Sequence, residues 1–337
     1  MNRSSDECNE LRWNPLLGEW VVVSSSRQTR PWQPADECPF CVGSSELGIG
    51  WKTATLPNRF PALHKKARAC SNSVGPYLVR DGYGDCRVVV ETPRHEGDLF
   101  ELSLEEMVEV LRVNIRVCDE IERDPRIKYV ASFRNKGKEI GVSLTHPHGQ
   151  VYGMPFVPPR VRAELRNANN YHKRNSRCLF CHIISLERKQ SSRLIYENRG
   201  FTAFLPFFAM WPFEVHVYPR RHFQMLRELT KNEIVTLADA LRTITGGYSR
   251  LYEREMPYIM FIHQGPSRRK APHFHFHVEF YPALRDSNRM KYPAGIEWGA
   301  GTFTYDGLPE ERARTLRIAV AKFRSSMGAS DAIPASQ

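Results

Sequence analysis

The hydrophobic pattern predicts short β-branched strands separated by polar loops, with two long amphipathic helices. Trp20-Val21-Val22-Val23 reads as a strand. A polar loop follows over residues 24–34, and Cys38-Pro39-Phe40-Cys41 makes a tight knuckle. Residues 87–90 form a strand running into Thr92-Pro93-Arg94-His95. Ser103 with Glu106 is a capping box. The helix it opens carries Met107, Val110, Leu111 and Ile115 at helical spacing and ends near Asp124-Pro125. Residues 129–133 are a strand, and a polar loop leads into another that contains His146-Pro147-His148-Gly149-Gln150. On an extended strand the two histidines share one face.

The pattern then repeats. Cys178-Leu179-Phe180-Cys181 answers the first knuckle, and Asn198-Arg199-Gly200-Phe201 answers Asn58-Arg59-Phe60. A strand at 215–218 runs into Pro219-Arg220-Arg221-His222, Thr230 and Glu233 cap a second helix, and strands follow at 258–262 and 274–281. His95 to Ser103 and His222 to Thr230 are both eight residues; Tyr129 to His146 and Tyr258 to His275 are both seventeen. Two copies of one α+β unit follow, each an antiparallel sheet with a long helix. The boundaries drawn are 11–165 and 166–324, with a small, polar, disordered tail at 325–337.

A chain of 337 residues with 41% hydrophobic content can build a large core. No apolar run approaches the roughly 18 residues of a membrane span, and residues 1–10 are too polar for a signal peptide. The expectation is a cytoplasmic protein without a membrane partner. Net charge is +11, but lysine and arginine are scattered. That favours small phosphorylated ligands over nucleic acid.

Eight cysteines include two Cys-x-x-Cys pairs, which read as metal ligands. Cys8, Cys70, Cys86 and Cys118 show no pattern, and most of them are expected to be buried or simply inert thiols. A structural zinc takes four Cys or His ligands. Cys38, Cys41, His95 and His146 supply one set. By the repeat, Cys178, Cys181, His222 and His275 supply another, with His273 the competitor for His275. About two zinc ions per chain are expected, both structural, since four protein ligands leave no open position. His216 reads as a packed strand residue, and His64, His172 and His182 as incidental.

His148 is the candidate nucleophile. A neutral imidazole attacks phosphorus directly when its other nitrogen donates to a fixed acceptor. Arg27, Arg30, Asn135, Ser143 and Gln150 are residue types suited to neutralising the phosphate.

The order Cys-x-x-Cys, Pro93-x-His95, Asn135-Lys136-Gly137, Ser143-x-x-His146-Pro147-His148-Gly149-Gln150, Trp211-Pro212-Phe213-Glu214 and Phe280-Tyr281-Pro282 resembles the galactose-1-phosphate uridylyltransferase family of the histidine-triad superfamily. The resemblance runs from residue 11 to about 317, and Arg30-Pro31-Trp32 fits the family's phosphate loop. It implies two tandem histidine-triad-like units, the first catalytic, and a homodimer. It also implies double displacement: UDP-glucose gives UMP to His148, and galactose 1-phosphate takes it. By motif, Gln150 holds the uridylyl phosphate, Arg27 and Arg30 contact phosphates, and Asn58, Asn135 and Ser143 line the nucleotide site. Lys291 and Glu297 fit the hexose-binding end, while residues 299–303 depart from the family's usual glutamine. Some members hold a second metal with Glu and three His. Glu164 and His263 stand at two of those positions, but His277-Val278-Glu279 departs from His-x-His, so the Cys-containing second site is favoured.

Three rivals stand beside this reading. One is an ADP-glucose phosphorylase-like enzyme using the same His148, with Pro147 against it. Another is a histidine-triad hydrolase with His275 as nucleophile, flanked by His273 and His277. The third is a non-catalytic, zinc-stabilised binding protein.

Overall fold

The computed structural model describes residues 8–28 and 38–327. In order these hold β1 (Asn9–Asn14), β2 (Glu19–Ser24), β3 (Ala54–Pro57), β4 (Val79–Asp81), β5 (Asp85–Val90), α1 (Leu104–Glu122), β6 (Tyr129–Lys136) and β7 (His148–Met154). Then come α2 (Pro159–Asn175), α3 (Leu179–Gln190), β8 (Leu194–Glu197), β9 (Phe201–Phe204), β10 (Val215–Pro219), α4 (Lys231–Tyr248), β11 (Tyr258–His263), β12 (His277–Pro282), α5 (Gly295–Ala300) and α6 (Pro309–Ser326).

One nine-stranded sheet runs through both halves in the order β3-β5-β7-β6-β11-β12-β10-β9-β8, and β2-β1-β4 form a small separate sheet. The halves meet where β6 pairs antiparallel with β11, Phe133 opposite Phe261. The α+β class and the duplicated order thus hold. The boundary drawn at residue 165 lies inside α2, and α6 reaches Ser326, into the segment expected to be a tail.

Alternation along the strands sets the two faces. Val130, Val151, Met260, Ile262, Val278 and Phe280 pack toward α1 and α4 in the main core. Both helices begin with the expected capping boxes, Ser103 with Glu106 and Thr230 with Glu233. α6 lies against α4 at Gly246 and Gly247, where a Cβ would come within 2.3 Å of Phe323 and 2.4 Å of Val320. Gly246→Ala should therefore overpack the contact and cost about 1–3 kcal/mol, read as a lower urea midpoint. An unchanged midpoint would contradict this packing.

The other face is treated differently in the two halves. Over the second half, α2 and α3 bury Val161, Ala168, Phe180 and Ile184 against Phe204, Tyr218 and Phe274. Over the first half, that face carries the Cys38–Cys41 knuckle and open cavities.

Several expectations change. His146 precedes its strand, which starts at His148, so the two histidines are not strand neighbours on one face. The last strand starts at His277 rather than residue 274. α2 was not foreseen, because its sequence is mostly polar with a narrow apolar stripe. Cys8 and Cys70 are joined by a disulfide, Cα atoms 5.7 Å apart, and are not inert thiols. The buried Glu10 carboxylate accepts from the backbone of Cys70 and Ser71, which draws the two segments together. Cys86 and Cys118 are buried thiols as expected.

Candidate active site and metal-ligand clusters

The first cluster brings together Cys38, Cys41, His95 and His146, with all ligand atoms within 4.8 Å of one another. Cys41 Sγ lies 3.2 Å from His95 Nδ1, and Cys38 Sγ lies 3.7 Å from His146 Nδ1. The buried His146 donates from Nε2 to the Thr92 carbonyl at 2.8 Å. That bond turns the Nδ1 lone pair toward the sulfurs. Burial also lowers the His146 pKa, favouring the neutral ring a metal needs.

The second cluster repeats this with Cys178, Cys181, His222 and His275. Cys181 Sγ is 3.3 Å from His222 Nδ1 and 3.5 Å from His275 Nδ1, and His275 Nε2 donates to the Pro219 carbonyl. His273 instead stacks on His172 at 3.7 Å, so the repeat count picked the histidine that joins the cluster. His275, placed among the sulfurs, is not positioned as a nucleophile.

A third group, Glu164, His263, His277 and Glu279, also gathers within metal-binding distance. Among the described residues it coexists with the Cys-containing cluster, so the two are not alternatives. His263 bridges Glu164 at 3.1 Å and Glu279 at 3.2 Å. Burial opposes its charge, yet these carboxylates raise its pKa to about 10. His216 is the packed strand residue expected, held by Glu214 at 2.8 Å.

His148 heads β7. Its Nδ1–H donates to the His146 carbonyl at 2.8 Å, so Nε2 carries the lone pair. Two cavities meet at this ring. One of about 250 Å³ is lined by Phe40, Asn58, Ser143, His148 and Gln150. The other, of about 500 Å³, is lined by Asn135, Lys136, Lys138, His148 and Arg254. Gln150 Oε1 accepts from Tyr152 Oη at 3.1 Å and from Asn58 Nδ2 at 3.4 Å. With its oxygen engaged, the amide N–H groups are what Gln150 offers a phosphate.

Arg27 donates to the Phe60 carbonyl, beside the Asn58 loop but outside both cavity linings. Arg30 lies outside the described residues. Lys291 and Glu297 are not brought to His148. Lys291 is buried against the Met210 and Thr304 carbonyls, and Glu297 accepts from Thr304 Oγ1 at 2.7 Å and Ala294 N at 3.1 Å.

Sequence reasoning missed the support beneath the catalytic strand. Glu91 N donates to the Pro147 carbonyl at 3.0 Å. The Glu91 carboxylate takes Arg134 Nε at 2.9 Å, and Arg134 also reaches Asp98 at 3.0 Å and Tyr258 Oη at 2.8 Å. An arginine directly after the apolar run at 129–133, Arg134, was the available signal. Glu91→Ala should cost about 3–5 kcal/mol, because it strands a buried guanidinium. A smaller loss by denaturant titration would mean that Asp98 suffices.

His277 occupies the place of His148 in the second half. It donates from Nδ1 to the His275 carbonyl at 2.9 Å, as His148 does to His146. Yet it is only 1% exposed, in the group that Glu164 of α2 completes. The same histidine geometry is thus accessible in one half and covered in the other.

Comparison with known proteins agrees with this layout. Residues 49–158 match the family described as galactose-1-phosphate uridyl transferase, N-terminal domain, and residues 164–327 match its C-terminal domain. The chain is 38% identical to galactose-1-phosphate uridylyltransferase of Thermotoga maritima, over 91% of this chain and 98% of that one. It is 31% identical to the Rattus norvegicus protein of that name, over 93% and 88%. A solved uridylyltransferase structure superposes with TM-score 0.86 at 41% identity, covering 93% of this chain and 99% of that chain. An ADP-glucose phosphorylase from Arabidopsis thaliana superposes with TM-score 0.71 at 25% identity, over 92% and 98%. Two matched domains in the family's order, with His148 set between two cavities, place this chain in the galactose-1-phosphate uridylyltransferase family.

Proposed function

We propose that this enzyme moves UMP from UDP-glucose to galactose 1-phosphate through a uridylyl group on His148. The supporting observation is the His148 ring, its Nδ1 anchored on the His146 carbonyl, where the two cavities meet. Nε2 attacks the α-phosphorus, a P–N bond forms, and the bond to the β-phosphate oxygen breaks, releasing glucose 1-phosphate. The phosphate oxygen of galactose 1-phosphate then attacks the same phosphorus, giving UDP-galactose and returning the electron pair to Nε2.

Gln150 donates hydrogen bonds to the uridylyl oxygens without supplying an acid, so the intermediate survives until the second sugar phosphate arrives. Asn58 and Ser143 line the nucleotide side and Asn135 the cavity on the other side of His148, while a phosphate role for Arg27 and Arg30 rests on the family resemblance alone, since Arg27 lines neither cavity and Arg30 lies outside the described residues. Zinc suits the two Cys₂His₂ clusters by donor type and by the carbonyls that orient His146 and His275. Its contribution there is structural, with about two ions per chain. No helix among the described residues is long and apolar enough to cross a membrane. We also place the enzyme in the cytoplasm; recovery with the membrane fraction of expressing cells would count against that.

A hexose role for Lys291 and Glu297 requires a second copy of the chain, because neither lines the His148 cavities of its own chain. The exposed Tyr292, Ile296 and Trp298 on the same segment support a homodimer. Light scattering that shows a fully active monomer would overturn it.

The central test is incubation with radiolabelled UDP-glucose. A UMP–protein adduct that acid destroys and alkali tolerates is expected, and its absence would end the reading. ADP-glucose in the same assay addresses the ADP-glucose phosphorylase-like reading, whose Arabidopsis representative is the more distant likeness, at 25% against 41% identity. Stronger labelling from ADP-glucose would make this an adenylyltransferase.

A further inference from the structure

The second half contains a cavity that the chemistry at His148 does not use. It measures about 630 Å³ and lies between α2, the start of β6 and the loop from β11 to β12. Six cations line it, Lys128, Arg162, Arg166, Arg268, Arg269 and Lys270, and no carboxylate does.

Its position follows from the duplication. A shift of 129 residues carries Tyr129 onto Tyr258 and His148 onto His277. The same shift carries Pro257 back to Lys128, and residues 137–145 onto 266–274. Pro257 and, within 137–145, residues 137–139, 142, 144 and 145 border the 500 Å³ cavity beside His148, while Lys128 and all of 266–274 except Ser267 border this one. The cavity is therefore the counterpart of a reaction-site cavity, but its charge is changed. The first-half cavity balances its cations with Glu96, Glu139 and Glu255. In the image, Glu139 becomes Arg268, and Ile140 and Gly141 become Arg269 and Lys270.

The wall is built in part by fixed cations. Arg268 donates to the carbonyls of Glu122 and Arg123 at 2.8 and 2.9 Å, and Arg162 donates to the Gly18 carbonyl at 2.7 Å. Ser267 N bonds the Lys128 carbonyl, which ties the loop to the start of β6. The side chains of Arg166, Arg269 and Lys270 make no hydrogen bond or ion pair among the described residues. Val157, Leu165 and Phe274 add an apolar side. His277 is covered and does not line the cavity, and the one histidine in the lining, His273, is stacked on His172 at 3.7 Å. Like charges crowded around a concave space repel one another, and an anion with several charges relieves that repulsion.

We infer that this cavity is a second, non-catalytic binding site for an oligophosphate anion of the nucleoside di- or triphosphate class. It rests on the charge and shape of the second half and does not depend on what His148 transfers.

The test uses the full chain, with inorganic tripolyphosphate and UTP as probes, in calorimetric titrations at low salt. The variant combines Arg166→Ser, Arg269→Ser and Lys270→Ser, side chains without internal bonds. Wild type should show two classes of tripolyphosphate site. The variant should lose one of them by tenfold or more, with UDP-glucose labelling at His148 unchanged. Equal affinity and stoichiometry in the two proteins would overturn the site. Should the variant unfold, amine acetylation of wild type read by mass spectrometry decides. Saturating tripolyphosphate should slow modification of Lys270 several-fold, and an unchanged rate refutes the inference. Tighter binding of UTP than of tripolyphosphate at this site assigns the apolar side to a base. Weaker binding of UTP removes the nucleotide from the proposal.

Discussion

His148→Ala should abolish labelling by UDP-glucose, while His277→Ala should retain it when the signal is normalised to folded protein. Both rings donate Nδ1 to the carbonyl two residues back, at 2.8 and 2.9 Å, so tautomer does not distinguish them. Access does. His148 borders two cavities, whereas His277 is 1% exposed and bonded to Glu279 at 3.2 Å. Removing a nucleophile costs at least about 10⁴-fold, because the remaining groups orient the phosphate but cannot form the covalent bond. The measurement is adduct formed per mole of folded enzyme. Equal loss in both variants would mean that the adduct depends on overall integrity, and the assignment of His148 would fall.

The second large effect is on the metal clusters, and it separates two roles that look alike. Cys41→Ser should remove about one zinc per chain and cost about 4 kcal/mol or more, the scale of losing a metal site. It should also lower labelling. Cys41 holds His95 and His146, and the His146 carbonyl fixes the His148 ring. Cys181→Ser should remove the other zinc at a comparable cost in stability. Labelling per folded molecule should persist, because the carbonyl that His275 offers serves only the covered His277. Metal analysis of each variant and a thermal melt check the first half of this expectation, and the adduct assay checks the second. Wild-type protein without metal, or equal loss of activity in both variants, would sink it.

The duplication was the strongest signal in the sequence, and it was physically justified. Paired spacings of seventeen residues from strand start to metal histidine reflect one pairing geometry used twice, β6 with β7 and β11 with β12. Capping boxes at Ser103 and Thr230 were equally legible, since a cap is a local arrangement of four residues. Less legible were features that depend on distant partners. The strand boundary at His148 escaped notice because His146 turns back to the Thr92 carbonyl and the cysteines. Cys8 and Cys70 stand 62 residues apart with no local pattern, so their pairing is a product of β1 lying beside the segment that Glu10 holds. The choice between a Cys-containing second site and one with Glu164 and His263 was posed as exclusive. The sheet accommodates both, since the former stands at the strand ends and the latter on the sheet face beneath α2.

By itself the sequence determined the family, the two-unit α+β plan and the two Cys₂His₂ sets, and it named His148 as the proposed nucleophile, because each is written as residue types at fixed spacing. Only the tertiary structure decided which histidine is reachable. α2 and α3 cover one half of a single sheet and leave the other half open, and that depends on packing between elements far apart in the chain. It also decided that Lys291 and Glu297 stand away from His148 in their own chain. Finally, it set Arg166 beside Arg269 and Lys270 in one cavity, a grouping that no local spacing encodes.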